Sequence, residues 1–246
     1  MSVITSVDNP RVKEVVRLRK SRVRRAEGLF IAEGPREVGR ARAAGLTVVA
    51  TYFAPALIDW DDGEEVDERV LRKMSYRDEP EGVIAVVEVP HREIPADSTL
   101  LLVGVGIEKP GNLGAMARTA DAAGADALLV ADAECDPWNP NAIRASTGSV
   151  FSLPVVPASA DTVAALPHTK VAAVLDGDEA FTRPDYTGAT AFIVGAEDEG
   201  LDDAWRALAD IRVAIPMTQN AAADSLNAST AAALLLYEAV RQRSAT

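Results

Sequence analysis

Leu100-Leu101-Leu102-Val103-Gly104-Val105 contains no polar side chain. A strand that faces water on one side alternates apolar with polar residues, whereas one covered on both sides reads as a continuous apolar run. Two similar runs follow, Ala127-Leu128-Leu129-Val130-Ala131 and Ala191-Phe192-Ile193-Val194-Gly195. Residues 112–123 read as a helix, with Leu113, Met116, Ala117 and Ala120 on one face. Apolar strands alternating with helices predict an α/β fold whose parallel sheet is covered on both faces. Residues 150–156, 171–175 and 211–215 read as further strands. Residues 141–147, 161–166 and 205–209 read as short helices, and 225–242 as a long closing helix.

Upstream, Val12, Val15, Val16 and Leu18 between Lys and Arg residues suggest an amphipathic helix that starts at Asn9-Pro10. Residues 28–34 read as a buried strand and turn, 35–44 as a helix stopped by Gly45, 47–53 as a strand, 64–74 as a helix and 83–89 as a strand. The reading gives a small α/β domain over 1–89, a polar linker over 90–98 that contains Pro90 and Pro95, and a second domain over 99–246.

Composition narrows the function. No apolar run reaches the ~18 residues of a membrane span, and the N-terminus lacks the apolar core of a secretory signal. One cysteine, Cys135, excludes an intrachain disulfide framework. With His91 and His168 the only histidines, a Cys/His metal site is not expected. A cytoplasmic location is expected. The net charge of −12 is unevenly spread: residues 1–43 hold eleven Lys/Arg and five acids, a net +6, so the rest carries −18. A basic end on an acidic body is what contact with a polyanion leaves in a sequence. Arg11, Lys13, Arg19, Lys20, Arg22, Arg24 and Arg25 are the candidate RNA-binding residues.

Ligands of an open parallel sheet sit in loops at the carboxyl ends of strands. Three such loops stand out. Glu108-Lys109-Pro110-Gly111-Asn112-Leu113-Gly114 opens a helix that carries Arg118. Gly195-Ala196-Glu197-Asp198-Glu199-Gly200-Leu201 follows an apolar strand. Ile215-Pro216-Met217 leads through a polar loop to Ser225-Leu226-Asn227-Ala228-Ser229. None fits a P-loop, a dinucleotide-binding glycine fingerprint or a serine nucleophile elbow. Taken alone, Ser225 and Asn227 read equally well as caps of the last helix, Arg118 as a surface arginine and the Glu197 loop as an acidic turn.

Together, N-L-G-A-x-x-R-T-A-x-A-A-G from Asn112, V-G-A-E-x-E-G-L from Val194, and I-P-M with S-L-N-x-S-x-A resemble the three motifs of the SpoU (TrmH-type) RNA ribose 2′-O-methyltransferases, in the SPOUT superfamily. The resemblance covers residues 99–243. Residues 4–34, with Asn9-Pro10 and Phe30-Ile31-Ala32-Glu33-Gly34, are similar to the substrate-binding domain fused to many members, which itself resembles an RNA-binding ribosomal protein. The resemblance implies a deep trefoil knot in the C-terminal domain, S-adenosylmethionine as cofactor and a homodimer formed through that domain. It places Arg118, Asn112, Glu197, Ser225 and Asn227 in the active site. It places Gly195, Gly200, Ile215, Met217 and Leu226 at the cofactor. Substrate identity is where the chain departs most: Asp198 and Glu199 make the second loop acidic, and Ala221-Ala222-Ala223 removes side chains from the third.

The motifs hold no histidine, and a guanidinium stays protonated in proteins. Arg118 is therefore expected to position substrate and stabilise developing negative charge, leaving a substrate phosphate or water to accept the proton. Glu197 is expected to pair with Arg118 or Asn112. The expected substrate is large-subunit ribosomal RNA. Transfer RNA is the alternative within the class, and a noncatalytic RNA-binding protein that kept the fold is the alternative outside it.

Overall fold

A computed structural model describes residues 3–132, 135–218, 220 and 222–245. Gln219 and Ala221 of the third loop lie outside the described residues. In chain order the elements begin α1 (Pro10–Arg17), α2 (Ser21–Glu27), β1 (Leu29–Glu33), α3 (Pro35–Ala43), β2 (Val48–Phe53), β3 (Glu64–Glu65), α4 (Glu68–Met74) and β4 (Val83–Glu88). They continue with β5 (Leu100–Val105), α5 (Pro110–Ala122), β6 (Ala127–Ala131), α6 (Pro140–Ala145), β7 (Val155–Ala158), α7 (Ala160–Ala164) and β8 (Thr169–Ala173). The last are β9 (Glu179–Ala180), β10 (Thr190–Val194), α8 (Asp203–Leu208), β11 (Ile211–Ala214) and α9 (Ala228–Arg243).

The chain divides into two compact units: residues 1–91 with 136–152, and residues 92–135 with 153–246. The segment 136–152, which lies within 99–246 in sequence, thus folds with the first unit. In that unit the sheet order is β1-β4-β2-β3, with β4 antiparallel to both neighbours. Val12, Val15 and Leu18 meet Val70, Leu71 and Met74 of α4 in one core over Ile31, Ile84 and Val86. Three side-chain contacts stand out among those that hold the segment 136–152. Phe30 stacks on Trp138 (centroids 4.8 Å apart) and on Phe151 (5.7 Å). The Arg24 guanidinium pairs with the Asp136 carboxylate at 2.7 Å, their side chains 2% and 5% exposed.

Arg24 also donates to the carbonyls of Leu18 (2.8 Å) and Arg19 (2.9 Å). It is a structural cation, and a side chain so enclosed cannot meet a polyanion; this removes it from the RNA-facing set. Removing one member of a buried pair strands the other charge, at a cost of ~3–5 kcal/mol. We expect Arg24→Ala to lower the unfolding free energy by about that amount in urea titration of the full chain. Arg24→Met with Asp136→Leu should recover most of it, and a loss for the single variant of less than ~1 kcal/mol would contradict a buried pair.

The second unit carries an all-parallel sheet of order β7-β6-β5-β10-β8-β11-β9. The α/β reading is borne out, and β5, β6 and β10 are buried along their whole length. On one face, Trp205 of α8 and Val163 of α7 join Leu101, Val103, Leu129 and Ile193 in a core. α5 and α9 pack against each other and bury Leu113, Met116, Ala120, Ala232, Leu235 and Leu236.

Three local expectations change. Residues 150–153 are not strand: Ser149–Phe151 is a 3₁₀ turn and β7 begins at Val155, after Pro154, which has no N–H for a ladder. The helix expected over 64–74 begins at Glu68, because the Asp67 carboxylate accepts from the Val70 N–H (3.0 Å) and caps it there. The helix expected from Ser225 begins at Ala228, because Asn227 Oδ1 accepts from the N–H groups of Ser229 (2.9 Å) and Thr230 (3.3 Å). Ser225 and Leu226 are therefore left in the preceding loop.

Candidate active site

β10, β8 and β11 are neighbours in the sheet, and the chain leaves each at its carboxyl end. The loops that follow enclose a cavity of about 430 Å³, within the ~300–1,000 Å³ typical of small-molecule sites. Gly195, Gly200, Ile215, Met217 and Leu226 all line it, as do Glu197 and Ser225. The wall formed by Leu175, Asp176 and Arg206 was not picked out from the sequence. Its only signal in the sequence is the strand expected over 171–175; β8 ends at Ala173, which leaves Val174 and Leu175 in the loop that follows. Arg206 donates to both Asp176 oxygens at 2.6 Å, and this holds the Asp176 carboxyl below its ordinary range.

The 196–200 loop folds back tightly. The Gly200 N–H donates to the Ala196 carbonyl (3.1 Å), and Gly200 has φ +68°, a left-handed conformation that favours glycine. A Cβ at Gly195 would lie 2.4 Å from the carbonyl carbon and oxygen of Gly200. Only glycine lets the two backbone segments approach this closely.

Beside the cavity, one side chain each from the start of α5, the loop after β10 and the cap of α9 meet. Asn112 Nδ2 donates to Glu197 Oε1 at 2.9 Å. Asn227 Nδ2 donates to Asn112 Oδ1 at 3.1 Å and also to Glu197 Oε1. Asn227 thus serves in both ways open to it: its Oδ1 caps α9 while its Nδ2 joins the cluster. Lys109 Nζ lies 2.5 Å from Glu197 Oε2, a contact that no sequence motif announces. Lys109 lowers the Glu197 pKa, helped by the Asn112 hydrogen bond, and Glu197 raises that of Lys109.

The signs of these shifts fix a pH window. The Glu197 contribution, depressed in the fold, is present above the ordinary glutamate pKa and lost as pH falls through the lower folded value. The Lys109 contribution, raised in the fold, is present below the ordinary lysine pKa and lost as pH rises through the higher folded value. The pair should persist from about pH 5 to about pH 10. Cofactor affinity measured across that range is expected to be flat, and a step near neutrality would show that another group controls the site.

Arg118 stands apart. Six residues beyond Asn112 on α5, it points about 120° around the helix from it. It is exposed, and it makes no hydrogen bond or ion pair with the described residues. Glu197 is paired with Asn112 and not with Arg118. In the first unit, Arg11 pairs with Glu64, Lys13 pairs with Asp8 at 2.9 Å, and Arg19 donates to the carbonyls of Lys73 (2.9 Å) and Ser75. Lys20, Arg22 and Arg25 are exposed and carry no such partner among the described residues.

Residues 99–237 match the model of the SpoU rRNA Methylase family. The chain belongs to this family. Residues 9–85 match the MRM3-like substrate binding domain. A 23S rRNA uridine 2′-O-methyltransferase of Streptomyces viridochromogenes is 40% identical over 71% of this chain and 65% of its own length. The chain thus matches just under two thirds of that relative. RlmP of Bacillus subtilis, a 23S rRNA guanosine 2′-O-methyltransferase, is 29% identical over 96% of this chain and 98% of its own. Among solved structures, an RNA 2′-O ribose methyltransferase superposes with a TM-score of 0.85 at 41% identity, covering 98% of this chain and 99% of its own. The SpoU methyltransferase AviRb of S. viridochromogenes, solved with AdoMet, gives 0.85 at 33% identity over 96% and 98%.

Proposed function

We propose that this SpoU-family chain is an S-adenosylmethionine-dependent methyltransferase that acts on a ribose 2′-hydroxyl of large-subunit ribosomal RNA. One observation carries the reading: Asn112, Glu197 and Asn227, from three segments distant in sequence, converge beside a cavity at the carboxyl ends of three adjacent strands.

The cavity suits the cofactor. Its walls combine apolar Ile215, Met217 and Leu226 with backbone polar groups of a loop packed too tightly for any side chain at Gly195. The cofactor supplies an activated methyl group; the protein must place the accepting oxygen about 3 Å from it and ease loss of the hydroxyl proton. Glu197, held as a carboxylate by Lys109, is a weak base, and its task is to fix the Asn112 and Asn227 amides. Ser225, which lines the cavity, bonds substrate. Arg118 binds phosphate or ribose oxygens and stabilises developing alkoxide charge, and a substrate phosphate or water takes the proton.

Arg118 reaches the reaction in a homodimer formed through the C-terminal domain. Leu234 (38% exposed) and Tyr237 (51% exposed) stand one turn apart on α9, beside α5, and provide an apolar face for it. The trefoil knot, in which the chain after β11 threads through the preceding loops, is part of the same proposal. The first unit binds RNA as its ribosomal-protein-like counterpart does, with Lys20, Arg22 and Arg25 as its open cations. Among the described residues no helix is long and apolar enough to cross a membrane, and no group of His, Cys, Asp or Glu could hold a metal. The site of action is the cytoplasm, where ribosomes are assembled.

The test is a calorimetric titration of the purified chain with S-adenosylmethionine, alone and with ribosomal RNA. Saturable one-site binding is the expected result. No heat in either titration would remove the enzymatic reading and leave an RNA-binding protein.

A further inference from the structure

The first unit contains a second cavity, of about 360 Å³, lined by Glu33, Glu37, Tyr76, Arg77, Asn141 and Arg144 among others. Its far wall is α6, which the Arg24–Asp136 pair and the Phe30 stack hold in this unit. Glu33 is saturated: Ser75 Oγ donates to one oxygen and the Tyr76 N–H to the other at 2.9 Å. Glu37 is not. Its side chain is 1% exposed, and Oε1 accepts from Arg36 Nη2 (2.7 Å) and Nε (3.2 Å). Oε2 has no hydrogen-bond donor, the nearest cation being Arg77 Nη2 at 3.8 Å. A buried carboxylate oxygen without a donor is costly, and such groups are ordinarily satisfied. A ligand that satisfies this one brings a hydrogen-bond donor to it.

We propose that this cavity takes an unstacked guanine of the RNA substrate, read through its N1–H and N2–H donors by Glu37. The inference rests on the reading of the chain as an RNA-acting enzyme and adds a base-specific site to it. Single-stranded RNA is recognised by splaying bases out, stacking them on aromatic rings and bonding their pairing edges. The volume accommodates one nucleotide. Tyr76, 41% exposed, offers a ring at the rim. Arg144 is exposed, without a partner among the described residues, and is free to meet the attached phosphate. Among the four bases only guanine presents two adjacent N–H donors on its pairing edge. Adenine and cytosine offer one amino group beside an acceptor that a carboxylate repels. Uracil offers one imino group between two carbonyls.

The test uses the full chain and labelled pentaribonucleotides, UUGUU against versions with inosine, adenosine or cytidine at the centre, in fluorescence anisotropy at fixed salt. UUGUU should bind at least about tenfold tighter than the others, inosine included because it lacks the N2 amino group. Glu37→Gln should erase the preference. Tyr76→Ala, which spares the buried carboxylate, should weaken UUGUU binding several-fold and serves if Glu37→Gln does not fold. Equal binding of all four, no binding of any, or a preference that survives both substitutions would overturn the proposal. S-adenosylmethionine affinity, measured in parallel, should be unchanged in both variants. Its absence from the unsubstituted chain would count against the methyltransferase reading and not against the base preference.

Discussion

Gly195→Ala is expected to weaken S-adenosylmethionine binding by at least about 100-fold, some 2.7 kcal/mol. The cause is steric. The new methyl would stand 2.4 Å from the Gly200 carbonyl and 2.8 Å from the Leu201 nitrogen, and both obstacles are backbone that cannot rotate away. The 196–200 loop would have to open, breaking the Gly200 N–H to Ala196 carbonyl bond and moving the backbone that lines the cavity. β10 ends at Val194 and its buried ladder is untouched, so the variant should still unfold cooperatively. Calorimetry with the cofactor and a thermal melt check the two halves separately. Wild-type affinity in Gly195→Ala would mean that the cofactor lies elsewhere.

Arg118→Lys should lower methyl transfer to ribosomal RNA by about 10²–10³-fold while cofactor affinity stays within about threefold. Arg118 touches neither the cavity nor the Asn112–Glu197–Asn227 cluster, so nothing that holds the cofactor depends on it. Lysine keeps the charge but not the planar fork that bonds two oxygens at once. A large loss in kcat with the cofactor still bound is the mark of a group that acts on substrate and transition state. Full turnover in this variant would eliminate Arg118 from the reaction.

The sequence was most legible where burial is two-sided. β5 and β6 span the predicted residues because a strand covered on both faces has no place for a polar side chain. It was least legible where polar residues do the packing. α2 carries Ser21, Arg22, Arg24, Arg25 and Glu27, and no apolar period marks it, because its buried position is filled by Arg24. The charge of that arginine reads as an RNA contact until Asp136 is found beside it, 112 residues away in sequence. The same long-range pairing takes residues 136–152 out of the second unit, and nothing local in the sequence announces it. The two-residue strands β3 and β9 are too short to carry a pattern.

In the candidate site, the loops were legible as strand-end loops, and of the five active-site residues the motifs name, Asn112, Glu197 and Asn227 meet there while Arg118 does not. Lys109 and Arg206 were not legible, because each enters the site by pairing with an acid distant in sequence, Glu197 and Asp176. Asn227 shows why the capping and active-site readings could not be separated in advance: the two ends of one amide do both.

The central claim is that the accepting atom is a ribose 2′-oxygen of large-subunit ribosomal RNA. The direct measurement is to incubate the protein with S-adenosylmethionine labelled in its methyl group and unmodified 23S RNA, then digest the product to nucleosides and map the label. The account predicts label in a single 2′-O-methylnucleoside, at a position resistant to alkaline cleavage. Label on a base, or none in RNA under conditions where the cofactor binds, would contradict it.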